Sequence, residues 1–519
     1  MPTATTTTIV IENAKPSIGM DDQPSFHSQA TGHNHEQARL SQSNGTADKT
    51  KPVKFRSKYK HVEAPHRVVR PSVLSHDSTE VPSFLGFRNL MVLTIIVMNL
   101  RLVVENARKY GLLVTLKSNI SSYDLRIGLL LWALTPCHLF AALVIESVAM
   151  EHAKRALGRR KKSDAGVDAP ETEREQRAFR STWRWIAFGH MVNATLALSI
   201  TTLVVFYAID NPGIGTISEL HAIVVWLKTC SYAFTNGDLR HAMLHPSPSS
   251  KALPEVYKQC SYPNNITLSN LTYFWWAPTL VYQPAYPRTE RIRWFFVLKR
   301  LGEMVALAVF MWITCAQYAV PVLLNSLDKM MTLDYPSILE RLMKLSTISL
   351  IIWLAGFFAL FQSFLNMLAE LLRFGDREFY GDWWNSTSLK GYWSSWNKPV
   401  YHFMRRHVYS PLVGRGWSHL AASTAVFVFS GFLHELAVGV PAHSILGVAF
   451  LGMVLQLPLI MMTDPLAKTK SITGKVIGNC IFWVNFVFVG QPLAAMIYFF
   501  SWQAKYGALA QGKSSSVLR

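Results

Sequence analysis

Between residues 85 and 502 the chain returns nine times to stretches long and apolar enough to cross a bilayer: 85–104, 125–148, 185–209, 215–234, 294–324, 338–372, 418–436, 442–462 and 476–502. A hydrocarbon core of ~30 Å needs about 20 apolar residues per helix, and lipid offers no partner for an unpaired backbone group. The recurrence therefore predicts an all-α polytopic membrane protein with about nine transmembrane helices. Half of the residues are hydrophobic and only 16% are charged, which excludes an ordinary soluble domain. The net charge of +19 does not point to nucleic acid, because the basic residues fall in short runs between the apolar stretches.

Three regions follow. Residues 1–80 are polar and basic, too poor in large apolar side chains to offset the entropy of ordering, and read as a disordered cytosolic tail. Residues 81–507 form the membrane-embedded domain and 508–519 a short polar tail. The polar, Thr-rich start lacks an apolar h-region, so the first span is expected to direct insertion itself. With a cytosolic N-terminus, nine crossings put the runs Lys154 to Lys162 and Lys468 to Lys475 on the cytosolic side and the C-terminus in the lumen, as the bias of Lys and Arg requires. Cys137, Cys230, Cys260, Cys315 and Cys480 are scattered, with neither a disulfide framework nor a zinc spacing among them. Of the sequons, Asn193 and Asn385 are expected to stay unmodified and only Asn119 falls on a luminal loop.

Two long polar and aromatic segments, 235–293 and 373–417, fall on the cytosolic side. The Trp residues of the second, including Trp383, Trp384, Trp393, Trp396 and Trp417, are expected at headgroup level. The sixth span carries Gln362, Asn366 and Glu370, which should face protein rather than lipid.

Chemistry concentrates near the end of the run Ala421 to Leu436, where His434 and Glu435 stand in the hydrocarbon. An ionisable group there is costly and marks function, or else sits at the interface capped by a carbonyl. Glu435 diverges from His434 by ~100° on a helix, whereas Ser430, one turn earlier, shares its face as a substrate contact or a packing residue. Arg405, Arg406 and His407, with Tyr409 close behind, form a basic cluster suited to phosphates or to headgroups. No phosphate-binding glycine loop is present.

The block Phe379-Tyr380-Gly381-Asp382-Trp383-Trp384-Asn385, then Trp396-Asn397-Lys398-Pro399, then Phe432-Leu433-His434-Glu435, resembles the signature of the acyl-CoA:cholesterol/diacylglycerol branch of the membrane-bound O-acyltransferases. The resemblance covers about 84–507. Gly452-Met453-Val454-Leu455-Gln456 and Gly490-Gln491-Pro492 are similar to its diacylglycerol acyltransferase subfamily. It implies that His434 and Asn397 are the active-site pair, and that Glu435, Met453, Gln456 and Gln491 line the reaction chamber. Trp384, Asn385, Trp396, Arg406, Tyr409 and Ser430 are expected at the substrates. On spacing alone Met453 and Gln456 read equally as helix packing, and Asn397 as a turn residue.

The partners so implied are acyl-coenzyme A, diacylglycerol and membrane lipids, with no nucleic acid, no metal and no cofactor beyond acyl-coenzyme A as co-substrate. A homo-oligomer, dimer or tetramer, is expected from the same branch. A sterol acyltransferase, a proton-coupled transporter using His434 and Glu435, and a catalytically silent lipid-binding scaffold are the competing readings.

Overall fold

The computed structural model describes residues 85–113, 121–164, 173–244, 257, 260–326, 332, 334–468 and 472–517. The chain divides into two units at Met91: of the first only 85–91 are described, as helix, and the second, Val92–Arg519, holds the membrane body. The sequon at Asn119 lies outside the described residues.

The long helices are α1 (Leu85–Tyr110), α2 (Ser122–Leu134), α3 (Cys137–Asp164), α4 (Glu173–Ala208), α5 (Pro212–Leu244), α6 (Leu268–Trp276), α7 (Trp294–Thr314), α8 (Tyr335–Phe357), α9 (His419–Gly439), α10 (Val448–Val454), α11 (Gln456–Lys468), α12 (Ile472–Val484) and α13 (Gln491–Val517). Among the described residues there is no strand, only an isolated bridge between Arg288 and Phe374. The second expected span is broken at Thr135 and Pro136, where a proline cannot continue the hydrogen-bond ladder of α2.

Eight of the described helical segments are long and apolar enough to cross a membrane. The segment expected at 215–234 is helical too, inside α5, and one face of it is turned into protein: Glu219, Lys228, Thr229, Ser231, Thr235 and Asn236 are all buried, while Ile217, Leu220, Val224 and Phe234 stay exposed. Those polar residues find partners in protein and dilute the apolar signal that lipid-facing helices carry. α5 also runs ten residues past the expected boundary at 234, to Leu244, while the span expected from 442 starts only at Val448. In between, His443 adopts a left-handed backbone, and its ring nitrogens bond the carbonyls of Phe206 (2.8 Å) and Ile209 (2.9 Å) at the end of α4. The intervening turn thus serves as a C-terminal cap for another helix.

Four π-helical turns, Cys315–Ala319, Phe358–Phe364, Met404–Tyr409 and Asn485–Gly490, interrupt otherwise continuous helices. Such turns re-aim side chains and recur at functional sites. The turn Phe358–Phe364 and the helix that resumes after it carry the polar row expected to face inward. Gln362 accepts the Tyr380 hydroxyl at 2.7 Å, Asn366 donates to the carbonyls of Phe361 and Gln362, and buried Glu370 takes Arg377 and a fork from Arg293. Glu370→Ala leaves two guanidinium groups without their carboxylate, and a loss of roughly 3 kcal/mol of stability is expected. Thermal unfolding in detergent measures it, with Glu370→Gln falling in between.

Most rings of the Trp-rich segment, expected at the headgroups, are turned into protein. Trp383 and Tyr392 are buried and pack with Phe357, Phe361, Phe482 and Phe486 in an aromatic core. Trp353 meets Trp383 edge-on at 5.2 Å, and Trp396 stacks on Tyr392 at 5.9 Å. Aromatic rings this dense stabilise one another beyond the area they bury, so the block forms core while only Trp384 and Trp417 keep wide exposure.

Candidate active site

α9 opens on Ser418, whose hydroxyl accepts the Ala421 amide at 3.1 Å, and two devices then fix its rotation. Gly431 sits against α10 so closely that a Cβ there would lie 3.0 Å from the Phe450 carbonyl oxygen. Glu435, buried, accepts the amides of Gly447 (2.8 Å) and Phe450 (3.2 Å) and the hydroxyl of Tyr498 (2.7 Å). The carboxylate thereby clamps the start of α10 and the last helix onto α9. On the far side Leu433 joins an apolar cluster with Ile223 and Leu227 of α5 and with Phe403 and Met404.

With Leu433 and Glu435 turned into protein, His434 is left on the third direction. It keeps accessible surface, so the ring is not sealed in by its neighbours. Its Nδ1 lies 2.7 Å from the Ser430 carbonyl oxygen, and the Ser430 hydroxyl is farther, at 3.4 Å. A carbonyl only accepts, so Nδ1 carries the proton and donates. Nε2 is then the basic nitrogen, and its lone pair points away from the helix that fixes the ring. The arrangement is that of a general base whose tautomer is set by its own backbone.

Toward the cytosolic side of the expected topology lies a cleft of about 440 Å³, with Thr279, Tyr286, Asp376, Lys398, Arg405 and Arg406 in its wall. Lys398 pairs with Glu378, while Arg406 donates to the Tyr282 carbonyl (3.3 Å) and the Tyr257 hydroxyl (3.2 Å). Exposed Arg405 adds a second guanidinium, so the cleft suits a polyanion. The cleft and the His434 helix share one core: Leu280, Val281, Val400 and Met404 pack in the cluster that holds Leu433.

Other residues singled out from the sequence land as follows. Asn397 caps the short helix Lys398–Phe403 through Oδ1, which accepts the Val400 amide at 3.2 Å, so the turn reading describes its backbone role and its side-chain amide N–H groups remain as donors. Met453 is buried, and Gln456 donates to the Gly452 carbonyl at 3.1 Å. Trp384 and Asn385 are exposed at a 3-10 turn, and Trp396 is packed into the aromatic core. Two members of the basic cluster leave it. Tyr409 stacks on His419 and bonds its Nδ1 at 2.9 Å, outside the cleft wall. His407 turns inward to the Ser231 hydroxyl at 2.7 Å, where burial, with the neighbouring Arg406, pushes its pKa down to about 4. Its ring faces Ser231 and is not part of the cleft wall. Glu435, which the resemblance put in the lining of the reaction chamber, points to α10 and Tyr498, on a different face of α9 from His434 as the helical step implied. Gln491 opens α13, and its side chain lies outside the described residues. Of the cleft residues, Arg405 belonged to the basic cluster read from the sequence and Lys398 stood only within the quoted motif, whereas His402 was not singled out.

An imidazole on a helix apolar enough to cross a membrane, sharing an apolar core with a cleft that carries Lys398, Arg405 and Arg406, is an arrangement that fits a membrane-embedded transferase. The sequence matches the model of the membrane-bound O-acyltransferase family over residues 175–500, more than half of the chain. It is 35% identical over 451 residues to diacylglycerol O-acyltransferase 1A of Glycine max, covering 86% of this chain and 83% of that protein. Identity is 34% over 448 residues to diacylglycerol O-acyltransferase 1 of Arabidopsis thaliana, covering 86% and 78%, and 35% over 439 residues to diacylglycerol O-acyltransferase 1-2 of Oryza sativa subsp. japonica, covering 84% and 85%. The chain belongs to the membrane-bound O-acyltransferase family.

Proposed function

We propose that the protein is an acyl-coenzyme A:diacylglycerol O-acyltransferase that makes triacylglycerol, with His434 as its general base. The observation that carries the mechanism is the Nδ1 bond to the Ser430 carbonyl, which leaves Nε2 free to take a proton. The names of the relatives support the acceptor. Nε2 removes the proton of the free hydroxyl of diacylglycerol, and the oxygen attacks the thioester carbonyl. Asn397, through its amide N–H, is the candidate donor to the tetrahedral oxyanion. As the intermediate collapses, the carbon–sulfur bond breaks, the thiolate of coenzyme A leaves with the electron pair, and the proton on Nε2 returns to it. The thioester is itself activated, so the reading needs no metal and no cofactor beyond the co-substrate.

The cleft at Arg405 and Arg406 receives the phosphates of coenzyme A, while the lipid enters from the bilayer. The double variant Arg405→Gln, Arg406→Gln is expected to weaken acyl-coenzyme A binding by about 1.5–3 kcal/mol per lost charge-assisted contact. The KM for diacylglycerol should stay put, which initial rates against each substrate resolve.

The protein works in the endoplasmic reticulum membrane with its N-terminus cytosolic and its C-terminus luminal. The basic runs at 154–162 and 468–475 support this orientation. The resemblance to its branch supports a homo-oligomer, dimer or tetramer. Expression in a host stripped of neutral-lipid synthesis tests the activity: triacylglycerol should accumulate, and a well-inserted protein that yields none would contradict the reading.

A further inference from the structure

Lys228 stands in the apolar run Val224–Cys230 of α5, only 4% exposed. Its ammonium spends all three donors on backbone: the carbonyls of Phe274 (2.8 Å), Trp275 (3.0 Å) and Ala277 (2.8 Å). These lie at the C-terminal end of α6 and just beyond it, where helical carbonyls lack intrahelical partners and the helix dipole is negative. The buried cation is therefore satisfied by the end of a helix, and that helix end is held by it. One turn further along α5, the Ser231 hydroxyl accepts the Tyr282 amide at 2.8 Å, and its hydrogen bond with His407 Nε2 at 2.7 Å ties the π-helical turn as well.

α5 thus grips the segment 274–282 at both ends. Between the two grips lie Pro278, Thr279 and Val281, part of the cleft wall. Residues Ile223 and Leu227, on the same helix, pack in the cluster that holds Leu433, next to His434. One helix therefore fixes both the wall of the cleft and the seat of the base.

We propose that Lys228 is a positioning residue for the acyl donor, holding the 277–282 wall at a set depth relative to α9 so that a thioester in the cleft meets Nε2 of His434. The proposal rests on the acyltransferase reading above. It concerns register rather than chemistry, because the ammonium is sealed by three carbonyls and reaches no reacting atom.

The test compares wild type, Lys228→Met and Lys228→Gln, all purified in detergent. Lys228→Met is expected to raise the KM for oleoyl-coenzyme A roughly tenfold or more, as loss of about one charge-assisted contact between the displaced wall and the donor would, while the KM for diacylglycerol changes by less than about twofold. Amide exchange over 277–282 should quicken while α9 stays protected. Lys228→Gln, which keeps an amide donor, should fall between the two, and it decides the matter if the Met variant does not fold. A folded variant with both KM values unchanged or raised by the same factor, or with unchanged exchange at 277–282, overturns the proposal. Titration with oleoyl-coenzyme A separates this outcome from failure of the activity itself. Wild type that binds the thioester without turnover sinks the acyltransferase reading and leaves Lys228 to be judged by affinity and exchange; wild type that binds none sinks both.

Discussion

His434→Ala is expected to cut triacylglycerol formation by at least the ~10²- to 10⁴-fold that a positioned general base contributes. The variant should still insert and fold. The described bonds of His434 run to Ser430 on its own helix, so removing the ring opens no interface between elements. Normal melting with lost turnover is therefore the expected pair of results, read by thermal unfolding and by product formation on one preparation. Ser430→Ala makes a second check. The partner of Nδ1 is the Ser430 carbonyl, which the substitution keeps, so activity should stay within a few-fold of wild type. A severe loss would assign the hydroxyl a part in catalysis.

Glu435→Ala is expected to act in the opposite way, through stability. Two amides and one hydroxyl converge on a buried carboxylate, and each donor left unmatched costs about 1–3 kcal/mol, less whatever water can reach. A fall of roughly 3 kcal/mol is anticipated, with early loss of the contact between α9 and α10. Glu435→Gln is not a faithful replacement, because its NH2 would confront an N–H or hydroxyl donor. Tyr498→Phe removes one arm and should cost about 1 kcal/mol. Thermal unfolding together with activity at two temperatures separates the cases: residual turnover recovering on cooling fits a clamp, whereas wild-type melting with no activity would return Glu435 to the chemistry.

These contrasting roles show what was legible in the sequence. His434 announced itself because an ionisable group in an apolar run must be compensated, and the row Gln362, Asn366, Glu370 did so by the same rule. Lys228 obeyed that rule as well, yet its span passed as an ordinary crossing. Its partners lie 46 to 49 residues onward, and they are carbonyls, which carry no side-chain signature. The part played by Glu435 likewise depends on groups 12, 15 and 63 residues away. Spacing could show only that Glu435 and His434 face different ways.

The nine helical segments followed from hydropathy, but the buried polar face of α5 did not. A window average counts polar residues against a span without knowing that protein surrounds them. The π-helical turns left no mark in composition either. One of them, Met404–Tyr409, explains why adjacent basic residues diverge, with Arg405 and Arg406 at the cleft and His407 facing Ser231. The Trp block was read as an interfacial belt because its amphipathic composition fits one, whereas nine or more rings meeting from distant segments made it core.

The most direct measurement is a competition assay: purified protein in detergent is given oleoyl-coenzyme A with diacylglycerol and cholesterol together, and released thiol and neutral-lipid products are followed. Triacylglycerol formed in step with thiol, and absent with His434→Ala, is the predicted result. Sterol ester as the main product would contradict the acceptor, and undiminished turnover by His434→Ala would contradict the base.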